Sequence, residues 1–105
     1  MPRDTATVAF LYLLRCAAGT YYVGSTINLT RRLEQHRAGE GAAYTRRRLP
    51  VELAWLGEFE RIDEAFAWEK RIQGWSRAKR EAFMSGGLEA VTGWSKRERE
   101  RRAKP

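Results

Sequence analysis

A chain of 105 residues with 20 Lys and Arg against 13 Asp and Glu carries a net charge of +7 and a pI near 10.2. It has room for one modest core, and a polyanion is the first partner to consider, although a merely soluble basic protein would show the same balance. The single cysteine, Cys16, excludes an internal disulfide and a cysteine-built zinc site; with one histidine, His36, any metal would be held mainly by oxygen, which favours magnesium or manganese.

Residues 8–16 form an apolar run rich in aromatic and branched side chains, which predicts a buried strand. Residues 20–25 predict its hairpin partner, with 17–19 as a three-residue loop and Gly19 at its left-handed position. That loop length sets Cys16 opposite Thr20, Leu14 opposite Tyr22 and Tyr12 opposite Gly24, so both tyrosines share one sheet face. A loop one residue shorter or longer would put them on opposite faces. Asn28 is a good N-cap for a helix over 29–38, and Gly39 a good terminator. Leu29 and Leu33 make its apolar stripe; Arg32 and His36 are an i,i+4 pair on the flank beside it.

Residues 39–50 are rich in glycine and arginine without periodicity, and predict a surface loop. A third strand is expected over 51–59, interrupted at Gly57, and a helix over 63–75 with Ala65, Trp68, Ile72 and Trp75 as its core stripe. A last helix is expected from Ser76 to the Ser85-Gly86-Gly87 stop. The pattern is α+β: a small three-stranded antiparallel sheet flanked by helices in β-β-α-β-α-α order, as one domain over 1–95 with a charged, basic tail over 96–105. No apolar run approaches a membrane span, and no basic-then-apolar signal opens the chain, so the cytoplasm is the default expectation.

Five positions within this framework bear on chemistry: Tyr12 of Phe10-Leu11-Tyr12, Tyr22 of Tyr22-Val23-Gly24, Arg32, His36 and Glu69. Each has a plain structural reading. The tyrosines suit a packed sheet, Arg32 and His36 a solvated helix face, and Glu69 a partnership with Lys70, Arg71 or Gln73. As an ordered set, spread over residues 8–83, they resemble the motif series of the GIY-YIG nuclease family, most closely its small single-domain bacterial, UPF0213-like members. The resemblance implies a three-stranded antiparallel sheet with helices, one divalent metal and phosphodiester hydrolysis. It casts Tyr22 as the phenol that orients or deprotonates the attacking water, and Tyr12 as sharing that water or orienting its partner. Arg32 becomes the phosphate clamp, His36 a proton shuttle or phosphate contact, and Glu69 the carboxylate that carries Mg2+ or Mn2+.

The chemistry suits these residue types. A phenol with an ordinary pKa is a poor base at neutral pH and would need a cation such as Arg32 or the metal beside it. A guanidinium can bridge a phosphate bidentately, and a hard cation held by one carboxylate, waters and substrate oxygens is normal for magnesium. Around this set, Gly24 and Ser25 could admit or bind a phosphate, while Tyr44 with Arg46, Arg47 and Arg48 is the best candidate for contact with a nucleic-acid backbone.

The family pattern is departed from twice. The first tripeptide keeps only its tyrosine, and no asparagine follows Glu69, although larger members often carry one. The leading expectation is a metal-dependent nuclease on DNA, with RNA as a further candidate, selecting structure rather than sequence, or directed by a protein partner. The alternative is a catalytically weak or inactive nucleic-acid-binding module on the same scaffold. An interaction domain using Trp75 or Trp94 rests on aromatic content alone.

Overall fold

The computed structural model describes residues 8–94 together with Lys96 and Glu100. The basic tail expected over 96–105 therefore lies outside the described residues except at those two exposed positions. The chain divides into two compact units, residues 1–74 and 75–105.

The first unit is built on β1 (Ala9–Arg15), β2 (Tyr21–Thr26) and β3 (Glu52–Phe59), an antiparallel sheet in the order β2-β1-β3. The apolar run becomes the central strand because it can bury both faces: Ala9, Leu11, Tyr12, Leu13 and Leu14 are all buried. The hairpin has the expected register, with Tyr12 opposite Gly24 and Leu14 opposite Tyr22. Cys16 N–H closes it onto the Thr20 carbonyl at 2.8 Å, and Gly19 turns the loop at φ 85°.

β3 runs unbroken through Gly57, contrary to the expected interruption. The ring of Trp55 folds across that glycine, where a β-carbon would lie 2.6 Å from Cη2, so the small residue serves packing rather than a strand break. The irregularity falls earlier. Leu13 pairs with Trp55 and Leu14 with Leu53, leaving Ala54 as an extra residue. This bulge lets Leu53 and Trp55, two positions apart, serve opposite faces of the sheet.

One face is covered by α1 (Leu29–Arg37) and α2 (Ala43–Arg46). Leu29, Leu33 and Tyr44 pack there with Tyr22 and Leu53 against Tyr12, Leu14, Cys16 and Val51. Asn28 caps α1, its side chain accepting from Arg31 N–H at 3.1 Å. The turn α2 breaks into the stretch expected to be an irregular loop; at four residues it is too short to produce periodicity in the sequence. The opposite face, that of Leu11 and Leu13, receives α3 (Ile62–Gln73), which meets all three strands. Ala65 and Ile72 are buried in it and Trp68 half-buried. Gly74 ends α3, so Trp75 does not belong to its stripe, contrary to expectation.

In the second unit α4 (Arg77–Val91) starts on Ser76, whose hydroxyl accepts from Lys79 N–H at 3.2 Å. Its helical geometry breaks at Gly87, as the sequence suggested, and resumes for one further turn. Trp75 sits edge-on to Phe83 with ring centroids 5.5 Å apart and carries the Lys79 ammonium 4.5 Å over its ring. No helix among the described residues is long and apolar enough to cross a membrane.

Candidate active site

The hairpin register places Tyr12 and Tyr22 on one face, and α1 brings His36 down between them. The imidazole lies 5.7 Å from the Tyr12 ring and 5.3 Å from the Tyr22 ring, centroid to centroid. Its Nε2 is 2.9 Å from the Tyr12 hydroxyl. His36 is 1% exposed, so its plain reading as a residue of a solvated helix face does not hold. Its Nδ1 is 2.9 Å from Oγ1 of Thr45, a wholly buried residue of α2 that in the sequence stands only as a neighbour of the arginine triplet.

Tyr12 is likewise 1% exposed, and its hydroxyl end lies directly over Gly24. A β-carbon there would collide with the hydroxyl and stand 2.6 Å from Cζ. The space left by Gly24 is thus filled by Tyr12 rather than open to a phosphate. Tyr22 is half-buried and is the more accessible of the two phenols.

Arg32, half-buried one turn before His36, acts on all three rings: its positive charge favours the phenolates of Tyr12 and Tyr22 and disfavours the imidazolium of His36. It does not prevail at the tyrosines. Burial, then the neighbouring Tyr22, pushes the Tyr12 hydroxyl well above its ordinary range, with Glu69 adding to the rise. Burial and then Glu69 push Tyr22 upward as well. Burial, reinforced by Arg32, holds His36 below its usual pKa and therefore neutral near pH 7. The lowering of the Tyr22 pKa expected from Arg32 is outweighed here.

Glu69 enters from the other side. Ser25 pairs with Leu11, so its side chain leaves the sheet on the α3 face, opposite Tyr12 and Gly24. There its hydroxyl donates to Glu69 Oε1 at 2.5 Å, and Gln73 Nε2 donates to Oε2 at 3.1 Å. Because β2 is an edge strand, the carboxylate is held at the rim of the sheet, near enough for its charge to raise both phenols. Gln73 is one of the three partners anticipated for Glu69; Ser25 was expected instead at a phosphate or a tyrosine hydroxyl.

The donor set suits a hydrated hard cation. Among the described residues no three His, Cys, Asp or Glu side chains stand together, which disfavours a protein-caged metal. One half-buried carboxylate with an oriented Oε1, beside phenols that feel its charge, matches an ion that keeps most of its waters.

The arginine triplet is not uniform. Arg46 and Arg47 are exposed. Arg48 is half-buried, with its guanidinium 3.7 Å over the Tyr44 ring and Nη1 donating to the Tyr44 carbonyl at 2.9 Å. Tyr44 also stacks on Tyr22 at 6.1 Å and 27°. Tyr44, expected at a nucleic-acid backbone, thus already carries Arg48 and braces the Tyr22 ring. The Ala17 N–H donates to the Arg48 carbonyl at 3.0 Å, tying this segment to the hairpin loop.

Known proteins resemble the chain over most of its length. The GIY-YIG catalytic domain matches residues 8–82. A UPF0213 protein of Halobacterium salinarum is 46% identical over 73 residues, covering 70% of this chain and 95% of its own. One from Streptococcus pneumoniae is 42% identical over 77 residues, covering 73% and 78% respectively. The solution structure of a UPF0213 protein from Bacillus halodurans is 36% identical and superposes with a TM-score of 0.50, covering 81% of this chain and 94% of that one. An E. faecalis solution structure gives 0.54 at 32% identity, covering 79% and 88%. With a family match across most of its length and an ordered motif series gathered around one end of the sheet, the chain belongs to the GIY-YIG catalytic-domain family, with UPF0213 proteins among its relatives.

Proposed function

We propose that the protein is a divalent-metal-dependent nuclease that hydrolyses phosphodiester bonds in DNA and selects structure rather than sequence. The observation that carries this reading is the convergence of Tyr12, Tyr22, Arg32 and His36, with Glu69 tethered at the rim beside them. Tyr22, the accessible phenol, orients the attacking water; its raised pKa makes it a hydrogen-bonding guide rather than a resident phenolate. Tyr12, too buried to meet bulk water, takes the orienting role. Arg32 binds the non-bridging oxygens of the scissile phosphate and opposes the charge that develops there. His36 supports Tyr12 from behind. Glu69 would hold magnesium or manganese, which when bound supplies charge compensation to the phosphoryl group and the leaving oxygen. Arg46 and Arg47 draw in the backbone through phosphate contacts that carry no base code.

The reading is tested by incubating the protein with end-labelled single-stranded, duplex, flapped and branched DNA, and with RNA, each with Mg2+, Mn2+ or chelator. Cleavage that needs a divalent ion and vanishes in Glu69→Ala and Tyr22→Phe is expected. Equal cleavage by those variants, or none by the parent on any substrate, sinks it. The missing asparagine and the single carboxylate favour a second reading, a binding module without turnover. That module would bind the same DNAs in a salt-sensitive way without metal and survive Glu69→Ala.

A further inference from the structure

Three hydrogen-bond contacts run in series through the buried side of the site. The Tyr12 hydroxyl meets His36 Nε2 at 2.9 Å, His36 Nδ1 meets Thr45 Oγ1 at 2.9 Å, and Thr45 Oγ1 meets the Ala42 carbonyl at 3.0 Å. A neutral imidazole brings one N–H and each hydroxyl one O–H, so three protons are available for three contacts.

Only one arrangement uses them all. The Ala42 carbonyl can only accept, so the Thr45 hydroxyl donates to it; Oγ1 must then accept from His36 Nδ1–H. Nε2 is left bare and accepts from the Tyr12 hydroxyl. Were the proton on Nε2 instead, Thr45 would have to donate to Nδ1 and would face the Ala42 oxygen at 3.0 Å without a proton between them. The Tyr12 hydroxyl would also have no acceptor, since His36 is its hydrogen-bond partner among the described residues. An unpaired hydroxyl on a side chain this deeply buried is costly, and two facing lone pairs repel.

We propose that Thr45 is a positioning residue of the active site: by accepting from Nδ1–H it fixes the tautomer of His36, and thereby fixes Tyr12 as a donor to His36. Gly41 completes the seat, because a β-carbon there would run into the imidazole, 2.9 Å from Cε1. The consequence for the nuclease reading, on which this last step rests, is directional. With its proton committed to His36, the Tyr12 oxygen turns its lone pairs toward Gly24 and the Tyr22 side of the sheet. It offers that side an acceptor and no donor. The segment after α1 therefore sets the polarity of the phenol as well as carrying exposed arginines.

His36 is the chain's one histidine. Long-range 1H–15N NMR of the imidazole therefore reports its tautomer without assignment ambiguity and without any cleavage assay, so failure here is distinct from failure of the nuclease reading. The parent at pH 7.5 is expected to carry the proton on Nδ1. Thr45→Val, which keeps the volume and removes the acceptor, leaves Nδ1–H unpaired while Tyr12 still donates to Nε2, so it should lower the Nδ1–H share in favour of Nε2–H, and Thr45→Ser should restore the parental pattern. Thr45→Ala replaces the valine variant if valine is not tolerated, with the amide spectrum showing that the fold is kept. A parent protonated on Nε2 overturns the proposal whatever the variants do. A folded Val or Ala variant whose Nδ1–H share equals the parent's removes Thr45 from the role.

Discussion

Ser25 and Glu69 lie 44 positions apart in the chain and meet through a 2.5 Å hydrogen bond that links an edge strand to the helix behind the sheet. The bond orients one carboxylate oxygen and commits one of its lone pairs; with Gln73 donating to Oε2, each oxygen keeps one lone pair for a cation. Partners of this kind hold a metal ligand in its productive rotamer, and their loss typically costs about 10–100-fold in metal affinity or activity. Ser25→Ala should therefore raise the divalent concentration needed for half-maximal cleavage about tenfold while leaving the rate at saturating metal within a few fold. Glu69→Gln should abolish cleavage at every metal concentration. A metal titration of both variants on one substrate checks this, and an unchanged midpoint in Ser25→Ala would show that the bond is only a helix-to-strand clip.

Gly24 is the position where fold and chemistry share one constraint. The Tyr12 ring lies so close that any β-carbon forces either the strand or the ring to move. Gly24→Ala should destabilise the protein by about 1–3 kcal/mol, the usual cost of forcing atoms into a packed site. Urea unfolding gives the number. In the same protein the Tyr12–His36 contact should be lost, visible as a shift of the His36 imidazole resonances. Tyr12→Phe removes the donor without crowding and should cost a similar amount, about 1–3 kcal/mol, because a buried imidazole nitrogen is left unpaired. Tyr22→Phe, at a half-buried ring with no such bond among the described contacts, should leave stability nearly unchanged and remove activity.

The hairpin was legible in the sequence because its turn is local. A three-residue loop ending in glycine dictates which residues face one another, and from that the shared face of the two tyrosines follows. The same holds for the capped starts of α1 and α4, where a side-chain oxygen meets a backbone donor three residues on. What escaped was nonlocal or too short for a period. Thr45 looks like any loop threonine until α2 turns it under His36, and the burial of His36 comes from three segments closing on it. The β3 bulge at Ala54 leaves no signature in the sequence, and Gly57 suggested a break where a tryptophan ring needed room. Glu69 stood out by its order among the motifs, but only α3 packing against β2 shows how it reaches the rim.

The buried rings also set a pH profile for stability. His36 has its pKa lowered from 6.5 by burial and by Arg32, so between its folded and unfolded values the unfolded chain binds more protons. Stability should fall as pH drops below about 6.5 and level off once the native imidazole protonates. Tyr12 and Tyr22 have theirs raised from 10.0, chiefly by burial, so the stability they contribute is fully present below pH 10 and is lost as pH rises beyond it. Asp63, with its pKa lowered from 3.8 by Arg61, acts in a more acid window and does not blur the His36 limb. Urea midpoints measured from pH 5 to 11 should trace a plateau with two shoulders. His36→Asn should remove the acid shoulder alone; if both proteins lose stability equally between pH 6.5 and 5, the imidazole is not its source.

The three consecutive arginines should separate into two kinds of behaviour. Arg46 and Arg47 are exposed and available to phosphates, so replacing either with alanine should weaken DNA binding uniformly across sequences. Each should also lower the slope of log affinity against log salt by about 0.7–0.9, the share of one released counterion. Arg48 lays its guanidinium over the Tyr44 ring and donates from it to the Tyr44 carbonyl. Arg48→Ala should therefore act first on stability. It loosens Tyr44 and with it the ring that stacks on Tyr22, so cleavage should drop even at DNA concentrations that saturate binding. Fluorescence anisotropy at several salt concentrations, paired with unfolding curves, distinguishes the two. Equal salt-slope losses at 46, 47 and 48, with no change in stability at 48, would mean that the Arg48–Tyr44 contact gives way to phosphate when DNA binds.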